Sequence, residues 1–362
     1  MSYVAGRSAE ELRRELGIAE VVKLGSNENP LGPSPAAVRA LREAAADAHR
    51  YPGVEADDLR AAIAARVGVA PGNVAIGNGS CDVITSALRE ALEPGAHVVV
   101  PRPYFQMYEI GARWYGAAID VVDHAGYACD LGATVRAVTG KTRVVFLANP
   151  NNPTGLIVGS DALARLLDAV PDDVLVILDE AYREFVDDPG YPDGIAEVVR
   201  GGNVLVTRTF SKIYGLAGLR VGYGIGPEPL MRAIRDRQPP FHTGRQALVA
   251  ALAAYGDDAF LRESKEVNAE GREQLRCGLE ALGLEVLPSQ ANHVLVVGLD
   301  DAGALDRALL ERGVIVRDAG PSFGLPGCLR VTVGTRRENE AFLAALADAL
   351  AGRRGTSAST GG

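Results

Sequence analysis

Lysine is nearly absent from this chain. Of 37 basic side chains in 362 residues only four are lysines, Lys23, Lys141, Lys212 and Lys265. Arginine carries the remaining positive charge, so each lysine asks for its own explanation. Cysteine is sparse too: Cys81, Cys129, Cys277 and Cys328 stand far apart, with no C-x-x-C pair. That spacing excludes a disulfide framework and a zinc ribbon. The histidines form no H-E-x-x-H or H-x-x-x-H pair, so no metal is expected. No apolar run approaches the roughly 18 residues of a membrane span, and no apolar leader follows Met1. A basic excess is also missing. The formal net charge is −9 and the pI about 5.2, which gives no electrostatic attraction to nucleic acid or anionic membrane. The expectation is a cytoplasmic protein that acts on small molecules.

What is present is ordinary globular composition, 47% hydrophobic and 23% charged. Ser34-Pro35 predicts a helix start running to Asp47, with a serine cap and proline at the first helical position. Asp57–Val67 and Cys81–Leu92 read as further helices, the latter capped by Ser80. Val98–Val100, Val144–Ala148, Val174–Leu178, Val204–Thr207 and Leu219–Ile225 are short apolar runs separated by helical segments such as Ser160–Val170. They predict an α/β fold whose mostly parallel sheet is covered on both faces. After Arg245 the texture changes. Helical Gln246–Leu282 precedes strand-like Ala291–Val297, helix Ala302–Arg312, strands Val314–Val316 and Cys328–Val333, and a last helix Glu338–Ala351. The expected division is an N-terminal arm (1–30), a large domain (31–245), a smaller α+β C-terminal domain (246–351) and a disordered Gly/Ser/Thr-rich tail (352–362).

Lys212 closes the segment Thr207-Arg208-Thr209-Phe210-Ser211-Lys212, just beyond an apolar run. Open α/β sheets bind ligands at the carboxyl ends of their strands. Hydroxyls before the lysine and Arg220 after it suit a Schiff base to a phosphorylated aldehyde. Alone, the segment also fits a surface lysine on a Gly-rich loop. Val174–Leu178 ends in Asp179-Glu180-Ala181-Tyr182. An Asp there can pair with a protonated pyridine nitrogen and keep that ring cationic, though an acidic strand end is common. Asn149-Pro150-Asn151-Asn152-Pro153-Thr154-Gly155 makes a rigid loop that can aim the Asn152 amide. Gly77-Asn78-Gly79-Ser80 before a helix is a weak phosphate-site signal.

The ordered set resembles the fold-type-I pyridoxal-phosphate aminotransferases, and most closely the histidinol-phosphate aminotransferase family. Lys23-Leu24-Gly25-Ser26-Asn27-Glu28-Asn29-Pro30-Leu31-Gly32-Pro33, Thr209–Arg220 and Gly327–Thr335 carry the resemblance, with Tyr3–Arg7 similar to the family's opening. The resemblance implies that Lys212 carries pyridoxal 5′-phosphate and shuttles the substrate Cα proton. It places Asp179 on the pyridine nitrogen, and Tyr182 and Asn152 on the phenolic oxygen. Thr209, Ser211, Arg220 and the amides at Ser80 and Cys81 would hold the phosphate. Phe105 would stack on the ring, and Tyr51 would reach the phosphate across a homodimer interface. Arg330 would clamp a substrate carboxylate, with Tyr3, Arg317 and Asn152 on the substrate side. The implied reaction is ping-pong transfer from a histidinol-phosphate-like or aromatic donor to 2-oxoglutarate. A decarboxylase of the same fold shares Lys212, Asp179 and Asn152, so those residues do not separate the two. A non-enzymatic cofactor-binding regulator is the other alternative, but leaves no room for a DNA-binding domain.

Besides Ala5 where proline is usual, the chain departs from the family in three places that touch substrate choice. Cys81 stands where an acid is usual, open to an inert or a reactive reading. Phe241-His242-Thr243-Gly244-Arg245-Gln246 replaces an Asn-containing segment and is shorter, making His242 and Arg245 candidate substrate contacts or, equally, solvated polar groups on a trimmed loop. His293 occupies a position where an aromatic is common.

Overall fold

The computed structural model describes residues 6–358. The helix Ala9–Leu16 opens the chain, capped by Ser8 and Glu11 in a reciprocal capping box. A short strand follows, β1 (Val22–Lys23). The large sheet then comprises β2 (Val74–Gly77), β3 (His97–Pro101), β4 (Ala118–Val122), β5 (Thr142–Ala148), β6 (Leu175–Asp179), β7 (Val204–Thr209) and β8 (Gly222–Ile225). Their order is β2-β8-β7-β6-β5-β3-β4. Pairing is parallel from β7 through β4, and β8 runs antiparallel to both its neighbours. The interior strands are buried on both faces, which is why they read as unbroken β-branched runs. β4 escaped the sequence reading because it is an edge strand with only Val122 buried. The run expected as Leu219–Ile225 becomes a strand only from Gly222; Ala217–Leu219 is a 3-10 turn and Arg220 has φ +54°.

A second sheet joins β9 (Glu285–Val286), β10 (His293–Val297), β12 (Arg317–Asp318) and β13 (Leu329–Thr332) in the order β12-β13-β10-β9, all antiparallel. Between β10 and β12 lies β11 (Val314–Ile315), which pairs in parallel with β1. The N-terminal arm is thereby joined to the C-terminal unit. The texture change at Arg245 is not a structural seam. Helix Arg245–Tyr255 packs on Pro35–Ala44 and Asp57–Val67, burying Ala247, Ala250, Ala251 and Ala254 in the core of the large sheet. Its alanines make that close approach possible. The tail expected to be disordered from 352 instead continues the last helix, Arg336–Ala358. Extending a formed helix costs less than starting one. Residues 359–362 lie outside the described residues.

At the end of β6, consecutive residues leave opposite faces. Asp179 turns to one side, while Glu180 turns to the other and meets Arg208 of β7. Arg208 Nη2 and Nε donate to Glu180 Oε2 at 2.7 and 2.9 Å, with both side chains buried. Removing Arg208 leaves the buried Glu180 carboxylate with only the Arg183 cation among the described residues, at 3.9 Å and without a hydrogen bond between them. Arg208→Ala is expected to lower unfolding free energy by about 3–5 kcal/mol. Urea denaturation reads this, and a loss under about 1 kcal/mol, the size of an exposed pair, would show that water already reaches Glu180.

Candidate active site

A cavity of about 300 Å³ opens at the carboxyl ends of the central strands, lined by Ala148 from β5, Asp179 from β6 and Thr209 from β7. The loops after these strands bring in Asn152, Tyr182, Ser211, Lys212 and Arg220. The arm contributes Gly25–Glu28, and the small sheet contributes Arg317 and Arg330. Segments remote in sequence thus converge on one lysine.

Lys212 Nζ donates to the Ser26 carbonyl at 3.2 Å. Burial, aided by the charges of Arg330 and Arg220, pushes its ammonium pKa down to about 8. A useful fraction is therefore the free amine near neutral pH, which is what attack on an aldehyde requires. Asp179 is buried at the base of the cavity. Its Oδ2 accepts from the Tyr108 hydroxyl at 2.6 Å, and its Oδ1 accepts from the Ala181 N–H at 3.2 Å. Burial raises its carboxyl pKa, while Tyr108, Ala181 and Thr207 favour the ionised form. The chief influences on it include no cation. A protonated ring nitrogen is the kind of partner such a buried carboxylate lacks.

One end of the cavity is built for an anion. The 12-residue helix Ser80–Ala91 begins there, presenting its amide end. Gly79 has φ +84°, and a side chain on it would run into the Arg220 guanidinium. A side chain on Gly222 would strike the Ser80 amide. The two glycines let arginine and strand close on the helix N-terminus. Arg220 Nη1 donates to Ser211 Oγ at 3.0 Å, and the Ser211 N–H donates to Thr209 Oγ1 at 3.0 Å. Helix amides, two hydroxyls and a guanidinium suit a phosphate, Asp179 suits a pyridinium, and Lys212 suits the aldehyde. The residues present fit pyridoxal phosphate.

Phe105 lines the cavity and meets Tyr108 edge-on, with centroids 5.8 Å apart. Arg330 is held in place: Nη1 donates to Asn152 Oδ1 at 2.8 Å and Nη2 to the Gly25 carbonyl at 2.5 Å. Cys81 lines the cavity, but burial, with Asp179 nearby, pushes its thiol pKa up to about 11. A thiol so shifted is mostly protonated near neutral pH.

Three expected residues do not join this set. His242 Nε2 lies 3.1 Å from the Ile76 carbonyl and Arg245 pairs with Asp47 at 3.2 Å, neither lining the cavity. Both are engaged by the large-domain framework, and His242, expected on the substrate side, stands outside this chain's own cavity. Tyr51 is 78% exposed and stacks on Phe241 with centroids 4.5 Å apart, outside this chain's cavity. Tyr3 lies outside the described residues.

Sequence reasoning gave no role to Tyr108 or Asn27. Tyr108 follows Phe105 by three positions, one helical turn. Asn27 sits at φ +54°, a conformation asparagine tolerates better than most residues. Its side chain contacts Tyr182, His293 and Thr332. Among the described residues no helix is long and apolar enough to cross a membrane, and no His/Cys/Asp/Glu group could hold a metal.

Residues 19–346 match the family described as aminotransferase class I and II. The histidinol-phosphate aminotransferase of Moorella thermoacetica is 46% identical over 350 residues, 96% of this chain and 90% of that protein. Histidinol-phosphate aminotransferase 2 of Pseudomonas aeruginosa is 44% identical, covering 96% and 95% of the two chains. The crystal structure of histidinol-phosphate aminotransferase from Sinorhizobium meliloti in complex with pyridoxal 5′-phosphate superposes with a TM-score of 0.89 at 30% identity, covering 96% of each chain. With a cavity fitted to the same cofactor, the chain belongs to the class I and II aminotransferases and is a pyridoxal-phosphate-dependent enzyme.

Proposed function

We propose that the enzyme transfers the amino group of histidinol phosphate, or a closely similar donor, to 2-oxoglutarate by a ping-pong course. The observation that carries this reading is a pair of arginines. Arg317 and Arg330 stand directly opposite each other across β12 and β13, and both line the cavity. Like charges directly opposite on neighbouring strands are destabilising, and an anionic ligand beside both would add to their stabilisation. A phosphate on the donor and a carboxylate on the acceptor both answer that need. Relatives named histidinol-phosphate aminotransferase, at 42–46% identity, support the same substrate.

When bound, the cofactor supplies an electron sink for a bond at the substrate Cα. Asp179 keeps the ring nitrogen charged. Lys212, as a free amine, would take the substrate Cα proton and return it. Tyr182 and Asn152 serve the phenolic oxygen, and Phe105 forms a wall of the ring site. Ser80, Cys81, Thr209, Ser211 and Arg220 hold the phosphate. Tyr51, exposed in the single chain, completes the phosphate site of a second copy in a homodimer. The site of action is the cytoplasm.

A donor panel with 2-oxoglutarate tests the substrate. Histidinol phosphate should exceed phenylalanine and tyrosine in kcat/KM by about tenfold or more, the worth of one well-made polar contact. Preference for an aromatic amino acid, or CO2 release without a keto acid, would overturn the assignment.

A further inference from the structure

The Tyr182 hydroxyl belongs to a buried network centred on Asn27. The Asn27 backbone N–H donates to Thr332 Oγ1 at 2.9 Å, and Thr332 Oγ1 donates back to Asn27 Oδ1 at 3.0 Å. This exchange engages the carbonyl end of the amide and turns its NH2 the other way. Asn27 Nδ2 lies 2.9 Å from Tyr182 Oη and 3.0 Å from His293 Nδ1. An amide NH2 only donates, so both of those atoms must accept.

Two consequences follow. With Asn27 donating, His293 Nδ1 is unprotonated and its proton sits on Nε2, which is buried and makes no hydrogen bond to the described residues. A second proton is disfavoured by burial and by the charges of Arg330 and Lys212, against a smaller opposing effect of the Asn151 backbone. Tyr182, accepting from Asn27, must direct its single hydrogen elsewhere. We propose that His293 is a positioning residue that, through Asn27, fixes the Tyr182 hydroxyl as a donor toward the cofactor. This rests on the reading of Tyr182 as a partner of the phenolic oxygen. A ring without an acceptor at position 293 would leave one Asn27 hydrogen buried and unused, and the amide would no longer be held toward Tyr182.

The titratable and charged groups around Tyr182 are Lys212, whose Nζ lies 5.8 Å from the tyrosine ring centroid, with Glu28, Asp179, Arg220, Arg317, Arg330, Cys81 and Tyr108 around the same cavity, and His293 edge-on to the ring. Burial holds the Cys81 thiol and the Tyr108 hydroxyl protonated near neutral pH. The observable is the pH midpoint of the absorbance change of the Lys212-linked cofactor. A donor stabilises the phenolic anion most when the linked nitrogen has lost its proton. Weakening that donor therefore raises the midpoint.

His293→Phe in the loaded enzyme should raise the midpoint by about 0.5–1 unit, roughly three- to tenfold in proton affinity. His293→Asn, which restores an acceptor near the Nδ1 position, should keep the wild-type midpoint. Tyr182→Phe should raise it at least as far, and adding His293→Phe to that variant should move it no further. A folded His293→Phe protein with an unmoved midpoint overturns the proposal, as does an undiminished shift in the Tyr182→Phe background. An unmoved midpoint in Tyr182→Phe removes the reading of Tyr182 itself and the proposal with it. Imidazole ¹⁵N shifts of the wild-type enzyme decide the matter without a variant. The Nε2–H tautomer supports the network, and a proton on Nδ1 overturns it.

Discussion

Lys212→Ala should lose covalently held cofactor and about 10⁴-fold in turnover, the upper range for a positioned acid–base group. No other lysine lines the cavity to replace it. Absorbance after desalting, with and without borohydride reduction, reads the link; a donor assay reads turnover. A variant still reducible to a cofactor adduct would place the attachment elsewhere. The wild-type apoenzyme carries a second signature. With its ammonium pKa depressed to about 8, Lys212 gains free amine as pH rises and is mostly neutral above that value. Capture of added cofactor should accelerate up to about that pH and then level. An ordinary lysine would continue to gain toward about 10.4.

Asp179→Asn is the second large effect. The carboxylate is buried, and its chief influences include no cation, so a bound pyridinium becomes its counter-charge. An amide of the same shape keeps the site filled but removes that charge. Breaking a buried ion pair costs about 3–5 kcal/mol, which corresponds to roughly two to almost four decades in rate. The loss should fall on kcat, because the charge matters most when electrons enter the ring. A variant that loses only cofactor affinity, with kcat intact at saturation, would reduce Asp179 to an anchor.

Much of the frame was readable in the chain itself. Strands buried on both faces advertise themselves as unbroken apolar runs, as Val144–Ala148 and Val204–Thr207 do. Ala118–Val122 did not, because an edge strand buries too little to need such a run. The cofactor residues sit beside strand ends and glycines whose local pattern has few other uses. Contacts between distant segments leave no such trace. Asn27 meets Thr332 and His293 only after folding, and neither neighbourhood announces the other. The placement of His242 was illegible for another reason. A changed motif position says that something differs, but not which way the side chain points, and here it points to the Ile76 backbone.

The pairing of β1 with β11 has a bearing on how the enzyme is made. Residues 22–28 leave the ribosome well before Val314 and Ile315, yet Val22 and Lys23 pair with those residues. The nascent arm must therefore wait, unpaired, through synthesis of the whole large sheet. Domains generally fold as units as they emerge, so the sheet carrying Asp179 and Lys212 is available first. The wall that carries Gly25–Glu28 and Arg330 closes only after β10 to β13 have been made. Catalytic competence should thus appear late and abruptly in biosynthesis, after the cofactor's main anchors already exist.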